Sequence, residues 1–240
     1  VFDMSGAHWD YSAPFTYDGN VKTVRVAGLP DGVTAEYTNA SATDAGRYTA
    51  IARFSVNDTD NYEDNIPDMT LDWSISKAVF DMSGVSWQQE REFGYDGSIR
   101  SVRLTGLPEG LAAEYSDNEA AGAGEYMARA GFTFDEKNYE RPEVDQCRWT
   151  IDRTPVDVSA VTWDYEEPFI YDGTEKSVAA VNVPEGTVVI YSNASANQAG
   201  TYVAAAEIIP DDTDNLLKTR LENLTGRIDK GNYDMSHVRW

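Results

Sequence analysis

The sequence predicts an all-β protein made of three small β-sandwich modules in tandem, and three observations predict it. The first is repetition. Tyr-Asp-Gly occurs at Tyr17, Tyr95 and Tyr171, and Ala-Gly-x-Tyr ends at Tyr48, Tyr126 and Tyr202, with steps of 78 and then 76 residues in both series. A period of this size marks an array of small units rather than one large core. The second is a hydrophobic period of two: Thr23-Val24-Arg25-Val26, Tyr48-Thr49-Ala50-Ile51-Ala52-Arg53-Phe54 and Leu71-Asp72-Trp73-Ser74-Ile75 alternate or are rich in β-branched and aromatic residues. The third is a turn signal every ~10 residues, the spacing of a sandwich.

Within each repeat the elements follow one another in a fixed order. A strand ends near Trp9, Trp87 or Trp163, eight positions before the Tyr of Tyr-Asp-Gly, and a second strand runs into that motif. The Asp-Gly pair suits a reversal that needs positive φ. A third strand precedes the Pro-x-Gly turn at Pro30, Pro108 or Pro184, and a fourth ends at Tyr37 in the first copy. One or two lie around Tyr48, and the last carries Trp73-x-Ile75, which makes about seven in all. No capped helical stretch is present. The Ala-rich window at 119–131 contains three glycines and aligns with the Tyr48 segment, so it reads as turn and strand. The repeats are placed at residues 1–78, 79–154 and 155–232. Residues 233–240 read as the start of a fourth copy, since Tyr233-Asp234-Met235-Ser236 matches Phe80-Asp81-Met82-Ser83.

Asp44-Ala45-Gly46-Arg47-Tyr48-Thr49-Ala50 looks like the tyrosine corner of immunoglobulin-like domains, in which Gly permits a tight bend and the Tyr hydroxyl bonds back to the chain. Ala50, Ala128 and Ala204 stand where an antibody domain has its second cysteine. The whole pattern of Trp-x7-Tyr-Asp-Gly, Leu-Pro-x-Gly, Ala-Gly-x-Tyr and a closing Trp-x-Ile-x-Lys resembles the tandem Ig-like repeats of the MBG type in large bacterial surface proteins. That resemblance covers essentially the full chain. It implies Ig-like sandwiches in an elongated array, a bacterial cell-surface or secreted setting, stalk or adhesive duty and no chemistry; a β-grasp-like module is the structural alternative.

Composition narrows the partners. Lys and Arg number 19 against 41 Asp and Glu, and the repeats carry about −7, −7 and −8, so no acidic tail holds the imbalance. Such a surface repels phosphate backbones and anionic membranes, which excludes nucleic acid as a partner. Cys147 is the single cysteine, so each repeat is held by packing without an internal disulfide. No apolar run is long enough to span a bilayer. Linkers are nearly absent: Lys77 leads within a few residues to Phe80, Arg153 through Thr154-Pro155 to Val156, and Lys230 to Tyr233. Short joints hold successive modules end to end with limited swivel, as a jointed rod. Pro155 stiffens the second joint, and Gly231-Asn232 loosens the third.

Candidate chemistry is sparse. His8 is replaced by Ser86, Thr162 and Arg239 in the matching positions, and neither it nor His237 has a nucleophile or orienting acid nearby in sequence. Glu90 with Glu92, and Glu166 with Glu167, offer paired carboxylates, but the first copy has Ser12 and Pro14 near those positions and small sandwiches seldom offer the cleft that glycoside hydrolysis needs. Asp58-Thr59-Asp60-Asn61, Asp135-Glu136-Lys137-Asn138 and Asp211-Asp212-Thr213-Asp214-Asn215 supply oxygen ligands that suit calcium, against a plain reading as Asx turns. Trp9, Tyr11, Phe15 and Tyr17, repeated as Trp163, Tyr165, Phe169 and Tyr171, read either as a sugar-stacking platform or as core and cross-strand pairs; Gln89 replaces one Tyr in the second copy. Glycosylation sequons begin at Asn39, Asn57, Asn193 and Asn223. Cys147 reads as a partly buried, inert thiol.

The expectation is therefore a non-catalytic monomer with no catalytic, cofactor-binding or metal residue, calcium being the one cofactor weighed. Its partners are neighbouring repeats of the same chain. The reading is a stalk that projects or carries a binding region. The alternatives are adhesin modules that bind a host protein or glycan, and accessory repeats of an extracellular enzyme.

Overall fold

A computed structural model describes residues 2–233 and 235–237. Half of the proposed fourth copy, Asp234, Val238, Arg239 and Trp240, lies outside the described residues, and with it the Arg239 counterpart of His8.

The first repeat shows how the sequence pattern becomes a sandwich. Its strands are β1 (His8–Trp9), β2 (Phe15–Thr16), β3 (Lys22–Thr23), β4 (Val26–Ala27), β5 (Val33–Thr38), β6 (Ser41–Ala42), β7 (Gly46–Val56) and β8 (Met69–Ser76). One sheet has the order β2-β8-β7-β5. In it β2 runs parallel to β8, whereas β7 is antiparallel to both β8 and β5. The other layer is two short antiparallel pairs, β1 with β4 and β3 with β6. Eight strands replace the expected seven because one strand changes partner midway. The Val24 N–H bonds to the Ala40 carbonyl on one side, and the Asp10 N–H bonds to the Arg25 carbonyl on the other, so β3 and β4 are one extended segment serving two neighbours.

The same main sheet recurs in the second repeat, built from Glu92–Gly94, Cys147–Asp152, Gly124–Thr133 and Ala112–Ser116, and in the third, built from Phe169–Ile170, Leu224–Asp229, Gly200–Pro210 and Thr187–Ser192. In the third, Thr219–Arg220 adds a short antiparallel partner to Gly200–Pro210. The chain is all-β, with tandem β-sandwich modules and no helix among the described residues. A β-grasp, which sets a helix across its sheet, is not what forms. The Ala-rich window at 119–131 is strand and turn, as its glycines predict.

By internal contact the chain divides into two compact units. One comprises Val1–Trp87, Leu104–Tyr115 and Arg129–Gln146; the other comprises Gln88–Arg103, Ser116–Ala128 and Cys147–Trp240. Neither coincides with a single repeat, and the second repeat contributes to both.

Alternation along the strands buries one face. In β7 the inward side chains Ala50, Ala52, Phe54 and Val56 are buried while Arg47, Thr49, Arg53 and Ser55 face water. Ala50 shares a cluster with Val24, Ala40, Trp73 and Ile75, so small-residue packing fills the position where an antibody domain would place a sulfur. Trp73 closes this core. Its ring lies 5.0 Å from that of Tyr48 and meets Phe15 edge-on at 6.0 Å, and its indole N–H donates to the Asn39 carbonyl at 3.1 Å. Trp149 repeats the arrangement against Tyr126 and Phe93, with its N–H on the Asp117 carbonyl.

The third repeat departs from this. The strand position that pairs with Tyr48 and Tyr126 through a tryptophan pairs with Tyr202 through Gly226, so the closing Trp-x-Ile pattern holds in two copies only. A cavity of about 30 Å³ remains, lined among others by Phe169, Tyr202, Ala204 and Ile228. Val178 is half-buried there, whereas its counterparts Val24 and Val102 are fully buried.

Two substitutions test this account by urea denaturation. Trp73→Ala deletes a ring that is 2 % exposed and should destabilise by ~3–5 kcal/mol, as large aromatic truncations do. A Cβ at Gly226 would meet nothing nearer than the Tyr165 ring at 3.6 Å, so Gly226→Ala should stabilise by ~0.5–1 kcal/mol, the ordinary gain from removing a mid-strand glycine.

Candidate functional site

The repeated motifs assemble into two recurring devices, a corner and a turn. At the corner, the Tyr48 hydroxyl donates to the Asp44 carbonyl at 2.7 Å, Tyr126 to Gly122 at 2.8 Å and Tyr202 to Gln198 at 2.9 Å. The bond reaches back four residues and pins the start of the longest strand. Glycine two residues before each Tyr leaves room for the ring, since a Cβ on Gly46, Gly124 or Gly200 would lie a tight 3.2–3.4 Å from the hydroxyl. Each tyrosine corner expected from sequence is therefore formed.

The Tyr-Asp-Gly turn is the second device. Asp18 accepts the Asn20 N–H and pairs with Lys22 at 2.6 Å; Asp96 does so with Ser98 and Arg100, and Asp172 with Thr174 and Lys176. The following Gly19, Gly97 and Gly173 take φ near +80°, the reversal that Asp-Gly predicts. Lys22 chiefly holds the Asp18 carboxyl below its ordinary range, the Ser98 N–H does so for Asp96, and Lys176 for Asp172.

The aspartate runs close as short turns. In each, Asp58, Asp135 or Asp212 accepts from the amide of the Asn three residues on. In the second and third repeats that Asn is presented to the preceding repeat. Asn138 is 4 % exposed, and its Oδ1 accepts the Ala45 corner N–H at 2.7 Å. Asn215 accepts the Ala123 corner N–H at the same 2.7 Å. The corner of one repeat is thus capped by the turn of the next.

Two further contacts surround each capped corner, and a third joins them at the first. Lys77 donates to the Glu136 carbonyl at 2.6 Å, and Arg153 to the Thr213 carbonyl at 3.2 Å. The Ala78 N–H bonds to the Asn138 carbonyl and the Thr154 N–H to the Asn215 carbonyl, so the linker pairs with the turn as a short parallel bridge. Tyr17 meets Tyr139 edge-on at 5.5 Å. Desolvation beneath this contact raises the Tyr17 pKa, reinforced by Tyr139, Asp135 and Asp44. At the first joint Lys137 also pairs with Asp44, raising the pKa of the lysine and lowering that of the acid.

The remaining sequence candidates disperse. Trp9, Tyr11, Phe15 and Tyr17 pack against the first core, and the Tyr11 hydroxyl accepts the Ser74 N–H, so they are core rather than a sugar platform. Trp163 joins a core cluster of the third repeat, and Tyr165 and Phe169 meet at 5.6 Å beside the Gly226 cavity; Tyr171 is exposed. Gln89, Glu90, Glu92, Glu166 and Glu167 are exposed. His8 lies on the surface with Nδ1 against the Gly6 carbonyl, and His237 is exposed. Asn39, Asn57, Asn193 and Asn223 are exposed. Cys147 is buried outright, deeper than sequence suggested, at a strand position facing Ala128. No group of three or more His, Cys, Asp or Glu among the described residues could hold a metal ion. The capping role of Asn138 and Asn215 was missed in sequence, although Asp-x-x-Asn recurs in register at 58–61, 135–138 and 212–215.

No family model and no curated protein matches the sequence. Among solved structures, it is similar to the fibronectin(III)-like modules of Clostridium thermocellum CbhA, at 10 % identity over 61 % of this chain and 94 % of that one, with a TM-score of 0.22. It is also similar to domains 7, 8 and 9 of the S-layer protein SbsC, at 11 % identity over 82 % of this chain and 74 % of that one, with a TM-score of 0.23.

Two predictions follow from these devices. Asn138→Ala and Asn215→Ala each strand a half-buried corner N–H and should cost ~1–3 kcal/mol, with faster amide exchange at Ala45 and Ala123 respectively. Asn61→Ala, on an exposed turn, should stay within ~0.5 kcal/mol of the parent. Carboxyls whose folded pKa lies below the unfolded 3.8 stabilise above that pH, and this contribution is lost as the pH falls through the folded value. Thermal melts from pH 7 to pH ~2 should therefore fall less steeply below pH ~4 for Asp18→Asn/Asp96→Asn/Asp172→Asn than for the parent; equal slopes would remove the carboxylates from the account.

Proposed function

We propose that this chain is a run of non-catalytic, MBG-type structural repeats in a large bacterial extracellular protein, and that it projects or carries a binding region as a stalk. The observation that supports it most is where the repeated residues go. Among the described residues, each recurring Trp, Tyr, Asp and Gly serves a core, a corner, a turn or a joint, and none converges with its counterparts on a shared cleft. The topology suits tension as well. In each repeat an early strand lies parallel to the last one: Phe15 pairs with Ile75, Phe93 with Ile151 and Phe169 with Ile228. Pulling the chain ends apart loads that ladder in shear, so its hydrogen bonds resist together rather than one at a time.

One observation favours the adhesin alternative. On the outer face of the third repeat's main sheet, Val188, Ile190 and Val203 are each at least half exposed. The matching positions in the first repeat are Thr34, Glu36 and Thr49. A patch of this kind on one repeat only is what a binding face offers.

Single-molecule pulling separates the two. A stalk should show three unfolding events, each releasing on the order of 25 nm of chain, since ~77 residues extend at ~3.5 Å apiece. One collective event, or none above background, contradicts the stalk. Binding on a glycan or host-matrix array that Val188→Thr/Ile190→Glu/Val203→Thr abolishes would establish the adhesin reading instead.

A further inference from the structure

The third repeat keeps the surroundings of a tryptophan and lacks the tryptophan. In the first repeat Trp73 stands between Phe15 at 6.0 Å and Tyr48 at 5.0 Å, and its indole N–H donates to the Asn39 carbonyl at 3.1 Å. Val24, Ala40, Ala50 and Ile75 share its core. The same residue types return in the third repeat: Phe169, Tyr202 and Asn193 for the rings and the carbonyl, and Val178, Ala194, Ala204 and Ile228 for the apolar wall. All of them line the cavity. Only the ring is missing, because Gly226 holds the strand position of Trp73. The second repeat seats its own indole in the same way, with Trp149 between Phe93 at 6.1 Å and Tyr126 at 4.7 Å and its N–H on the Asp117 carbonyl at 3.1 Å.

The frame around Gly226 is retained. Tyr202 faces Gly226 across the strand pair as Tyr48 faces Trp73, and the Tyr165 hydroxyl accepts the Arg227 N–H at 2.8 Å where that of Tyr11 accepts the Ser74 N–H at 3.0 Å. Asn193 has a φ of 54°, against 53° for Asn39 and 55° for Asp117, so the backbone that carries the accepting carbonyl is bent alike in all three repeats. The donor that meets this carbonyl in the first two is the indole itself, which Gly226 cannot supply. The site is also open to solvent: Val24 and Ala40 are buried, whereas Val178 and Ala194 are half-buried. Its enclosed space of about 30 Å³ suits water rather than a bicyclic ring, so a ring enters only by parting the rim. The first repeat shows that these side chains on this register can close over an indole, since Trp73 is left 2 % exposed.

We propose that the third repeat binds an indole ring that is not its own, held between Phe169 and Tyr202 with its N–H on the Asn193 carbonyl. The ligand class follows from the two filled repeats: a flat apolar bicycle with one donor at its edge. A ring without that donor leaves the carbonyl unmet, and a charged one loses its hydration against an apolar wall. The inference goes beyond the stalk reading and stands without it, because the force at which repeats unfold and the occupancy of this site are measured separately.

Methyl-detected NMR of the full chain titrated with indole tests it. Signals of Val178, Ala194, Ala204 and Ile228 should shift and saturate with a Kd of ~1 mM, as one small ring provides, while Val24 and Val102, their counterparts in the filled repeats, stay in place. 1-Methylindole lacks the donor and should bind ~5-fold more weakly. Gly226→Trp supplies the ring from the chain itself, and a Cβ there meets nothing nearer than the Tyr165 ring at 3.6 Å, so this variant should lose all detectable indole binding. N-Acetyl-tryptophanamide distinguishes the sources. Shifts of the same methyls support a tryptophan side chain of another protein as the occupant, and shifts with indole alone support a free small molecule. The proposal is overturned by the absence of a saturable shift at those methyls, by equal affinity for 1-methylindole, or by undiminished binding to a folded Gly226→Trp. Should that variant not fold, the comparison of indole with 1-methylindole on the parent decides.

Discussion

One hydrogen bond organises this protein: the tyrosine hydroxyl that reaches back four residues at the start of the longest strand of each repeat. It bends the chain tightly enough that a glycine sits closest beneath the ring, and the neighbouring alanine N–H of the first two corners is met by a side chain of the next repeat. A backbone donor must find an acceptor or remain in water. In the first two repeats the acceptor comes from the next repeat, so the device that starts a strand also sets the joint.

This explains how sandwiches without disulfides are held in series. The main sheet of the first repeat has one face on a small core in which alanine, valine and a tryptophan do the packing, and a core of that size gives limited stability on its own. Capping the corner adds hydrogen bonds and a linker bridge, and at the first joint a ring contact, at little cost in chain order, because the turn that supplies them is already fixed by its own aspartate. The third repeat shows what happens when one part is altered. Gly226 removes the indole, a cavity remains, and Val178 becomes partly accessible although the strand register is unchanged.

Electrostatics play a local part inside an acidic whole. The aspartates of Tyr-Asp-Gly sit in turns that feed them an N–H and a cation, which keeps them charged where they stand. Most ion pairs here are exposed, and such pairs add little to stability individually. The distribution of acid across all repeats therefore governs long-range encounters more than the fold.

The repeat register, the all-β class, the corner and the Asp-Gly reversal were legible in sequence because each depends on residues close together in the chain. Tyr48 bonds four residues away, and Gly19 needs only its own backbone. The aromatics were ambiguous, because burial depends on what folds over them; Tyr11 and Phe15 are core only because the strand carrying Trp73 returns beside them. The joint role of the aspartate runs was illegible for the same reason. Their oxygens suit a cation, but the group that approaches Asn138 is an N–H some ninety residues earlier in the chain, at |i−j| = 93, and no local pattern announces it. Sequence alone determined what is rebuilt three times and where its turns lie, since those are matters of neighbouring dihedrals and alternation. Tertiary structure alone decided which polar atoms meet between repeats, because that pairing exists only after two modules have folded and been brought together by a linker too short to let them part.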